Sequence, residues 1–216
     1  MCGIAGSIGR LQPDQTNVDR ALTNMYNRGP DAHGYWMGQS QTGSVCLLHS
    51  RLAIIDINDS AIQPMKKNDC VLVFNGEIYN YLEIRKQLVK IGFGFRTNSD
   101  SEVLITAYLA WGVDCLDKLE GMWSFALFDG RTKQLFLSRD RFGEKPLLYT
   151  KLNGTFYFAS EAKALRSLTG KPLTPNLNKI SRYLVNGFRS LYKNTESFYE
   201  DVFEFPSGHY AVVTDP

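Results

Sequence analysis

From residue 122 onward the chain is a series of short apolar runs separated by turns: Met122 to Asp129, Gln134 to Ser138, Pro146 to Lys151 and Thr155 to Ser160. Such a series reads as an antiparallel meander. Earlier strands are expected in the opening segment, which closes with Gly6 and Gly9, and at Gly34 to Gly38, Ser44 to His49, Val71 to Phe74 and Phe93 to Thr97, with a last one at His209 to Thr214. Amphipathic helices fall between and beside them. Val18, Ala21, Leu22, Met25 and Tyr26 share one helical face behind a Thr16/Asp19 capping box, and Gly29-Pro30 ends that helix. Asn80 with Glu83 predicts a capped helix bearing Leu82, Ile84, Leu88 and Ile91, and Ser99 with Glu102 predicts one bearing Val103, Leu104, Ala107 and Tyr108. Two further helices are predicted at Glu161 to Leu168 and Leu177 to Leu184. Strands first, then helices, then more strands is not the alternation of a parallel sheet. It predicts an α+β fold with two sheets face to face and helices outside.

At 216 residues one core is the economical expectation. The formal net charge is +2 and the basic residues are scattered, so no nucleic-acid partner is expected. Apolar runs such as Cys70 to Phe74 are far shorter than a membrane span, and no charged-then-apolar leader opens the chain, so no membrane partner is expected either. The four cysteines, Cys2, Cys46, Cys70 and Cys115, are far apart, and the three histidines do not cluster with them. Neither a metal site nor a disulfide framework is therefore predicted, and a reducing, cytoplasmic setting fits.

Cys2 follows the initiator methionine directly. Removal of Met1 would place a thiol and a free α-amine on one residue. Such an amine titrates at about 7.7–8.0, so at neutral pH part of it is unprotonated and able to take the thiol proton. The alternative is an inert cysteine buried at the start of an edge strand. Arg51 lies among apolar neighbours and is either paired to an internal carboxylate or open to an anion. The buried run Val71 to Phe74 ends at Asn75-Gly76, where a strand breaking before a helix would leave backbone N–H groups at a rim. Asp100 falls in the first turn of its helix, where dipole stabilisation alone could account for it.

Set in order, several segments resemble one family: Cys2-Gly3-Ile4-Ala5-Gly6, Arg28-Gly29-Pro30-Asp31, His49 to Asp56, Gln63-Pro64 and Asn75-Gly76-Glu77-Ile78-Tyr79-Asn80. Ser99-Asp100-Ser101-Glu102, Gly121 to Ala126, Arg139-Asp140 with Gly143, and Ser160 to Leu165 continue it across about four fifths of the chain. Together they resemble the glutaminase domain of class II, N-terminal-nucleophile glutamine amidotransferases, in particular that of glutamine-hydrolysing asparagine synthetases. The resemblance implies a four-layer αββα sandwich of two antiparallel sheets between helices. It implies that Cys2 attacks the glutamine side-chain amide, with the Asn75 amide and the Gly76 N–H as oxyanion hole. It further implies that Arg51 binds the substrate carboxylate, that Asp100 with Glu77 binds its ammonium, and that the Ile54 and Ile55 backbone completes the pocket. Arg28 and Asp31 are expected to support the nucleophile's strand, and His49 to be a satisfied buried histidine, since the family uses the terminal amine as base.

Those synthetases continue into an ATP-pyrophosphatase domain with a Ser-Gly-Gly-x-Asp-Ser loop, and no such run occurs here. Residues 1–216 are therefore expected to form the glutaminase domain alone, with about 170–216, including Phe205 to Tyr210, resembling the lead-in to a synthetase domain. No cofactor is expected in this chain; ATP and magnesium would belong to that domain. Expected partners are glutamine and a synthetase domain or subunit, with homodimer formation left open. A glutamine-sensing or partner-binding module and a different N-terminal-nucleophile amidohydrolase are the competing readings. The chemistry at Cys2 requires that Met1 be removed from the active protein. Intact-protein mass spectrometry should find the mature species short by one methionine, and a glutamine-hydrolysing preparation that retains it in full would contradict the self-base mechanism.

Overall fold

In the computed structural model, residues 1–41, 43–56, 58–190 and 194–214 are described. The chain opens with β1 (Gly3–Gly9), α1 (Gln15–Met25), β2 (Ala32–Gln39) and β3 (Ser44–Arg51). It continues through β4 (Met65–Lys67), β5 (Cys70–Ile78), α2 (Tyr81–Lys90) and α3 (Asp100–Trp111). The meander follows as β6 (Gly121–Asp129), β7 (Gln134–Arg139), β8 (Leu148–Leu152) and β9 (Thr155–Ala159). Last come α4 (Ala162–Thr169), α5 (Leu177–Asn186), β10 (Phe203–Glu204) and β11 (Tyr210–Val213).

The strands form two sheets, ordered β10-β8-β9-β1-β3-β2 and β11-β7-β6-β5-β4. Alternation along β5 shows how they stack. Val71 and Val73 face the other sheet and meet Ile4, Ile8, Val45, Leu47 and Phe158, whereas Leu72 and Phe74 face outward onto Ile84, Leu88, Val103 and Leu104 of α2 and α3. On the far side, Ala5, Cys46, Leu48, Tyr157 and Ala159 pack beneath Val18, Leu22 and Met25 of α1 and Leu165 and Leu168 of α4. The result is the expected αββα order of layers. Every residue of β1 and β3 is buried, the polar Ser7, Ser44, His49, Ser50 and Arg51 included.

Several local expectations give way to better-placed partners. Helix α1 starts at Gln15, because Asp14 and not Thr16 accepts the Asn17 N–H as N-cap. Asn80 precedes α2 without capping it; its side chain instead bonds the Lys118 carbonyl and the Glu120 N–H, 2.9 and 3.0 Å away. Ser99 does cap α3 through the Glu102 N–H. The Glu102 carboxylate does not return the bond but gathers Arg96 N–H, Thr97 N–H and the Lys67 ammonium. Residues 93–97 form no strand; Phe93 and Phe95 pack against the outer core from a loop. Strand β5 does not break at Asn75-Gly76 but stays paired with β6 as far as Ile78. The stretch expected as a lead-in supplies an edge strand to each sheet, β10 beside β8 and β11 beside β7.

Close approach accounts for Gly6. A Cβ there would lie 2.4 Å from the Cys46 carbonyl oxygen and 2.6 Å from the Phe158 ring. Because the ring belongs to the inter-sheet core and the carbonyl to β3, neither can move cheaply. Gly6→Ala should therefore cost about 1–3 kcal/mol by overpacking, read as a lowered urea midpoint at unchanged slope; an unshifted midpoint would contradict this packing.

Candidate active site

Cys2 immediately precedes β1, whose backbone is held between β3 and β9. Its thiol is the one half-buried thiol; Cys46, Cys70 and Cys115 are fully buried. Burial pushes each of those three up to about 12, which leaves them protonated and inert. Burial raises Cys2 as well, but here it is opposed by the Leu52 N–H, the N-terminal charge and Arg51. The Leu52 N–H donates to Sγ at 3.3 Å, and the Leu52 carbonyl lies 3.6 Å away on the same sulfur.

A cleft of about 80 Å³ opens at this sulfur, and Met1, Arg51, Leu52, Ala53, Ile54, Ile55, Asp56, Gln63, Gly76, Glu77, Ser99, Ser101 and Lys145 are among the residues lining it. The structure thus brings together, at one cleft, six residues expected at a site: Cys2, Arg51, Ile54, Ile55, Gly76 and Glu77. Asn75 and Asp100 are buried beside it and not in its wall. The nitrogen of Cys2 is here an amide, since Met1 is peptide-linked to it.

Among the described residues Arg51 pairs with no carboxylate. Its guanidinium donates to the carbonyls of Asn58, at 3.1 Å, and Asp56, which uses two of its five donors. Asp56 stabilises the same loop, accepting from Asn58 N–H and Asn98 N–H, and these bonds hold its carboxyl below the usual range. Among the described residues Asn75 Nδ2 has one hydrogen-bond contact, to Ser124 Oγ at the 3.5 Å limit of a hydrogen bond. A Cβ on Gly76 would come within 2.2 Å of the Met122 carbonyl oxygen, so no other residue fits beside Asn75 in this ladder. Asp100 accepts the Ile78 N–H at 3.1 Å, but burial, with Glu77 nearby, pushes its carboxyl up to about 6.

Arg28 Nε donates to the Cys2 carbonyl at 2.8 Å, and its other end faces Glu161 at 3.6 Å. Asp31, expected beside the nucleophile's strand, holds the adjacent loop instead, because its carboxylate accepts the Ala53 N–H at 2.8 Å. His49 is fully buried and bridges the sheets, with Nε2 donating to the Phe74 carbonyl at 3.1 Å. Burial pushes it down to about 4, so it is a neutral imidazole. Its Nδ1 has no partner among the described residues, so only one of its nitrogens is satisfied.

Sequence reasoning did not single out Gln63, Leu52 or Lys145 as site residues. Gln63 accepts the Phe74 N–H at 2.6 Å and donates to Ser101 Oγ at 3.1 Å, tying β5 to α3 behind the cleft. Its sequence signal was the Gln63-Pro64 pair itself, one of the segments that resemble the family, to which no role was attached.

Two antiparallel sheets packed face to face between helices, with the one half-buried cysteine just ahead of the first strand, make this fold an αββα sandwich. The same fold is seen in glutamine phosphoribosylpyrophosphate amidotransferase from B. subtilis, with a TM-score of 0.71 at 18% identity, covering 99% of this chain and 47% of that one. A glutamine aminotransferase class-II domain protein from Silicibacter pomeroyi superposes with a TM-score of 0.53 at 15% identity, covering 99% and 95%. The sequence profile described as "Glutamine amidotransferase domain" matches residues 1–216, and the chain belongs to that family. Asparagine synthetase [glutamine-hydrolyzing] 3 of Bacillus subtilis is 39% identical over 76% of the chain and 27% of its own length. A putative asparagine synthetase [glutamine-hydrolyzing] 2 of Methanocaldococcus jannaschii is 34% identical over 90% of the chain and 42% of its length. Asparagine synthetase [glutamine-hydrolyzing] 2 of Bacillus subtilis is 36% identical over 97% and 28%. The chain thus spans less than half the length of these relatives.

Asp100 supplies a pH test of this geometry. An unfolded Asp titrates near 3.9, against about 6 in the fold. The folded state binds this proton more tightly, so the stability it contributes is complete below about pH 4 and is lost as pH rises through 6. Asp100→Asn removes the titration, and its stability relative to wild type should therefore be higher at pH 7.5 than at pH 4. Thermal unfolding at both pH values checks this; a pH-independent difference would contradict the burial of that charge.

Proposed function

We propose that this site hydrolyses the side-chain amide of glutamine to glutamate and ammonia. The observation that carries the proposal is a single half-exposed thiol, Cys2, facing a cleft lined by Arg51, Gly76 and Glu77 while every other thiol is buried. With Met1 removed, the α-amine takes the Sγ proton and the sulfur attacks the substrate amide carbon. The carbonyl electron pair moves to oxygen, where the Asn75 amide and the Gly76 N–H stabilise it; one such donor is worth about 2.7–4 kcal/mol of barrier. The nearly uncommitted Asn75 amide supports that role. The ammonium then gives its proton to the leaving nitrogen, the C–N bond breaks and ammonia departs. Water adds to the γ-glutamyl thioester and gives a proton to the amine. The C–S bond breaks, the sulfur recovers that proton and glutamate leaves.

Arg51 holds the substrate carboxylate with its remaining donors, and Asp100 with Glu77 holds its ammonium. Ile54 and Ile55 wall the pocket. Arg28 fixes the carbonyl of Cys2, and Asp31 fixes the loop opposite. The chemistry uses no cofactor in this chain. Ammonia is passed to a synthetase domain or subunit of the kind found in the longer relatives, and ATP and magnesium act there. The exposed apolar side chains of α5, Leu177, Leu184 and Val185, give such a domain a surface to pack on. Four unpaired cysteines fit a reducing cytoplasm.

Steady-state glutaminase kinetics on the mature protein tests these roles. Cys2→Ala should abolish hydrolysis without unfolding the domain. Arg51→Lys should mainly raise KM, because bidentate carboxylate binding is lost in ground and transition states alike. Asn75→Ala should lower kcat by about 10²–10³. Equal kcat losses in both, with no change in KM for Arg51→Lys, would refute the assignment.

A further inference from the structure

The turn between β7 and β8 is built to an unusual degree for a surface connection. The buried Asp140 carboxylate accepts four backbone N–H groups, from Trp123, Phe142, Glu144 and Lys145, at 3.0–3.2 Å. Arg139 pairs with no carboxylate among the described residues; its guanidinium donates to the carbonyls of Lys145, Phe205 and Gly143 at 2.7–2.8 Å. Five of these seven charge-assisted bonds hold backbone groups of residues 142–145, and the other two tie the turn to Trp123 and Phe205. What the turn presents is Lys145, whose side chain is buried in the wall of the Cys2 cleft. Its ammonium has one polar contact among the described residues, the Met1 sulfur at 3.5 Å, and a thioether is only a weak acceptor. A desolvated cation with so poor a partner is costly. It lies against the side chain of Met1, the residue whose removal frees the Cys2 amine, in the wall of the same cleft as Cys2.

We infer that Lys145 is a further functional residue of this site, fixed by the 139–145 turn beside the N-terminus so that its positive charge keeps the Cys2 α-amine unprotonated, and hence a base, at neutral pH. The inference rests on the base role proposed above for that amine. A neighbouring cation disfavours the protonated amine and favours the thiolate. The other charges around the amine come from every side of the cleft. Arg51 from β3 and Arg28 after α1 are cationic, and Asp100 from α3, Glu77 from β5 and Asp56 from the loop after β3 are anionic. Arg28 is offset by Glu161, and Arg51 is turned onto the Asn58 and Asp56 carbonyls. Lys145 has no such commitment. It acts through the amine and does not touch the reacting carbonyl, which makes it a positioning residue.

The test is the pH dependence of kcat/KM for glutamine hydrolysis, whose acid limb reports the essential base of the free enzyme. Mature wild-type protein is compared with Lys145→Met, an apolar near-isostere, with Lys145→Gln and with Lys145→Arg. In the Met and Gln variants the acid limb should move up by about one pH unit. Their rates should fall about tenfold below the limb and converge on wild type above it, while Lys145→Arg should keep the wild-type limb. An unmoved limb in a folded Met or Gln variant, or a loss equal at all pH values, would overturn the inference. Protein made with methionine aminopeptidase blocked separates the two readings. If it is as active as mature protein, the amine is not the base, and both fall; if it is inactive and the limb is unmoved by Lys145→Met, only the role of Lys145 falls.

Discussion

The antiparallel clamp of β3 and β9 on β1 is the interaction on which the rest depends. Gly3 pairs with Ser50 and Ala5 pairs with both Leu48 and Ala159, so the first residues of the chain, ordinarily the most mobile, are central in a sheet. The Ser160 hydroxyl accepts the Ile4 N–H at 3.1 Å, and Arg28 grips the carbonyl of Cys2. Cys2 therefore hangs from a rigid strand at the sheet's end. Everything opposite it is referenced to the same strand: β3 continues through Arg51 into Leu52, whose N–H meets the sulfur.

The second sheet is brought to that point by inter-sheet packing rather than by any bond to Cys2. Ile4 and Ile8 of β1 interleave with Val71 and Val73 of β5, and two residues beyond Val73 on the same strand comes Asn75. His49 adds a polar tie, joining β3 to the Phe74 carbonyl, and Gln63 takes the Phe74 N–H. Both groups of the residue before Asn75 are thus spoken for by side chains. The position of the Asn75-Gly76 step relative to the sulfur follows from the fit of two apolar faces plus two hydrogen bonds, and a loss of packing there would act on the site without touching it.

Much of this was legible in the residues. Apolar runs and turns located most of the strands, and the succession of elements gave two sheets with helices outside, while the four-layer αββα order came from the family resemblance. The failures are local contests. Asp14 outcompeted Thr16 as a cap because it lay one residue before the helix that formed. Asn80 left its helix for the Lys118 carbonyl and the Glu120 N–H, partners 38 and 40 residues away, and β5 ran on through Asn-Gly because β6 was there to pair with it. Local signals cannot see such partners. The same limit applies to the site. Cys2, Arg51 and Asp100 stand out as residue types in odd places, whereas Lys145 and Gln63 are unremarkable until the fold carries them to the cleft.

The site also departs from what stability alone would select. Asp100 is buried where its charge is disfavoured, His49 keeps one ring nitrogen without a partner, Asn75 has an amide with a single long contact, and Lys145 faces a thioether. Elsewhere in the fold comparable groups are well provided for: Glu102 gathers two backbone N–H groups and a lysine, and Asp140 gathers four N–H groups. The contrast is not one of residue type, since carboxylates and ammonium groups occur in both sets. It is partly one of place: Asn75, Asp100 and Lys145 line or back the cleft at Cys2, although unpartnered hydroxyls also occur away from it among the described residues, at Ser7 and Ser44. In the role proposed above, Asn75 and Asp100 are kept for a zwitterionic amino acid carrying a polarised amide, which offers a developing oxyanion and an ammonium. The cost is small against a core in which β1 and β3 are buried along their whole length, and that is what allows the fold to hold these groups open.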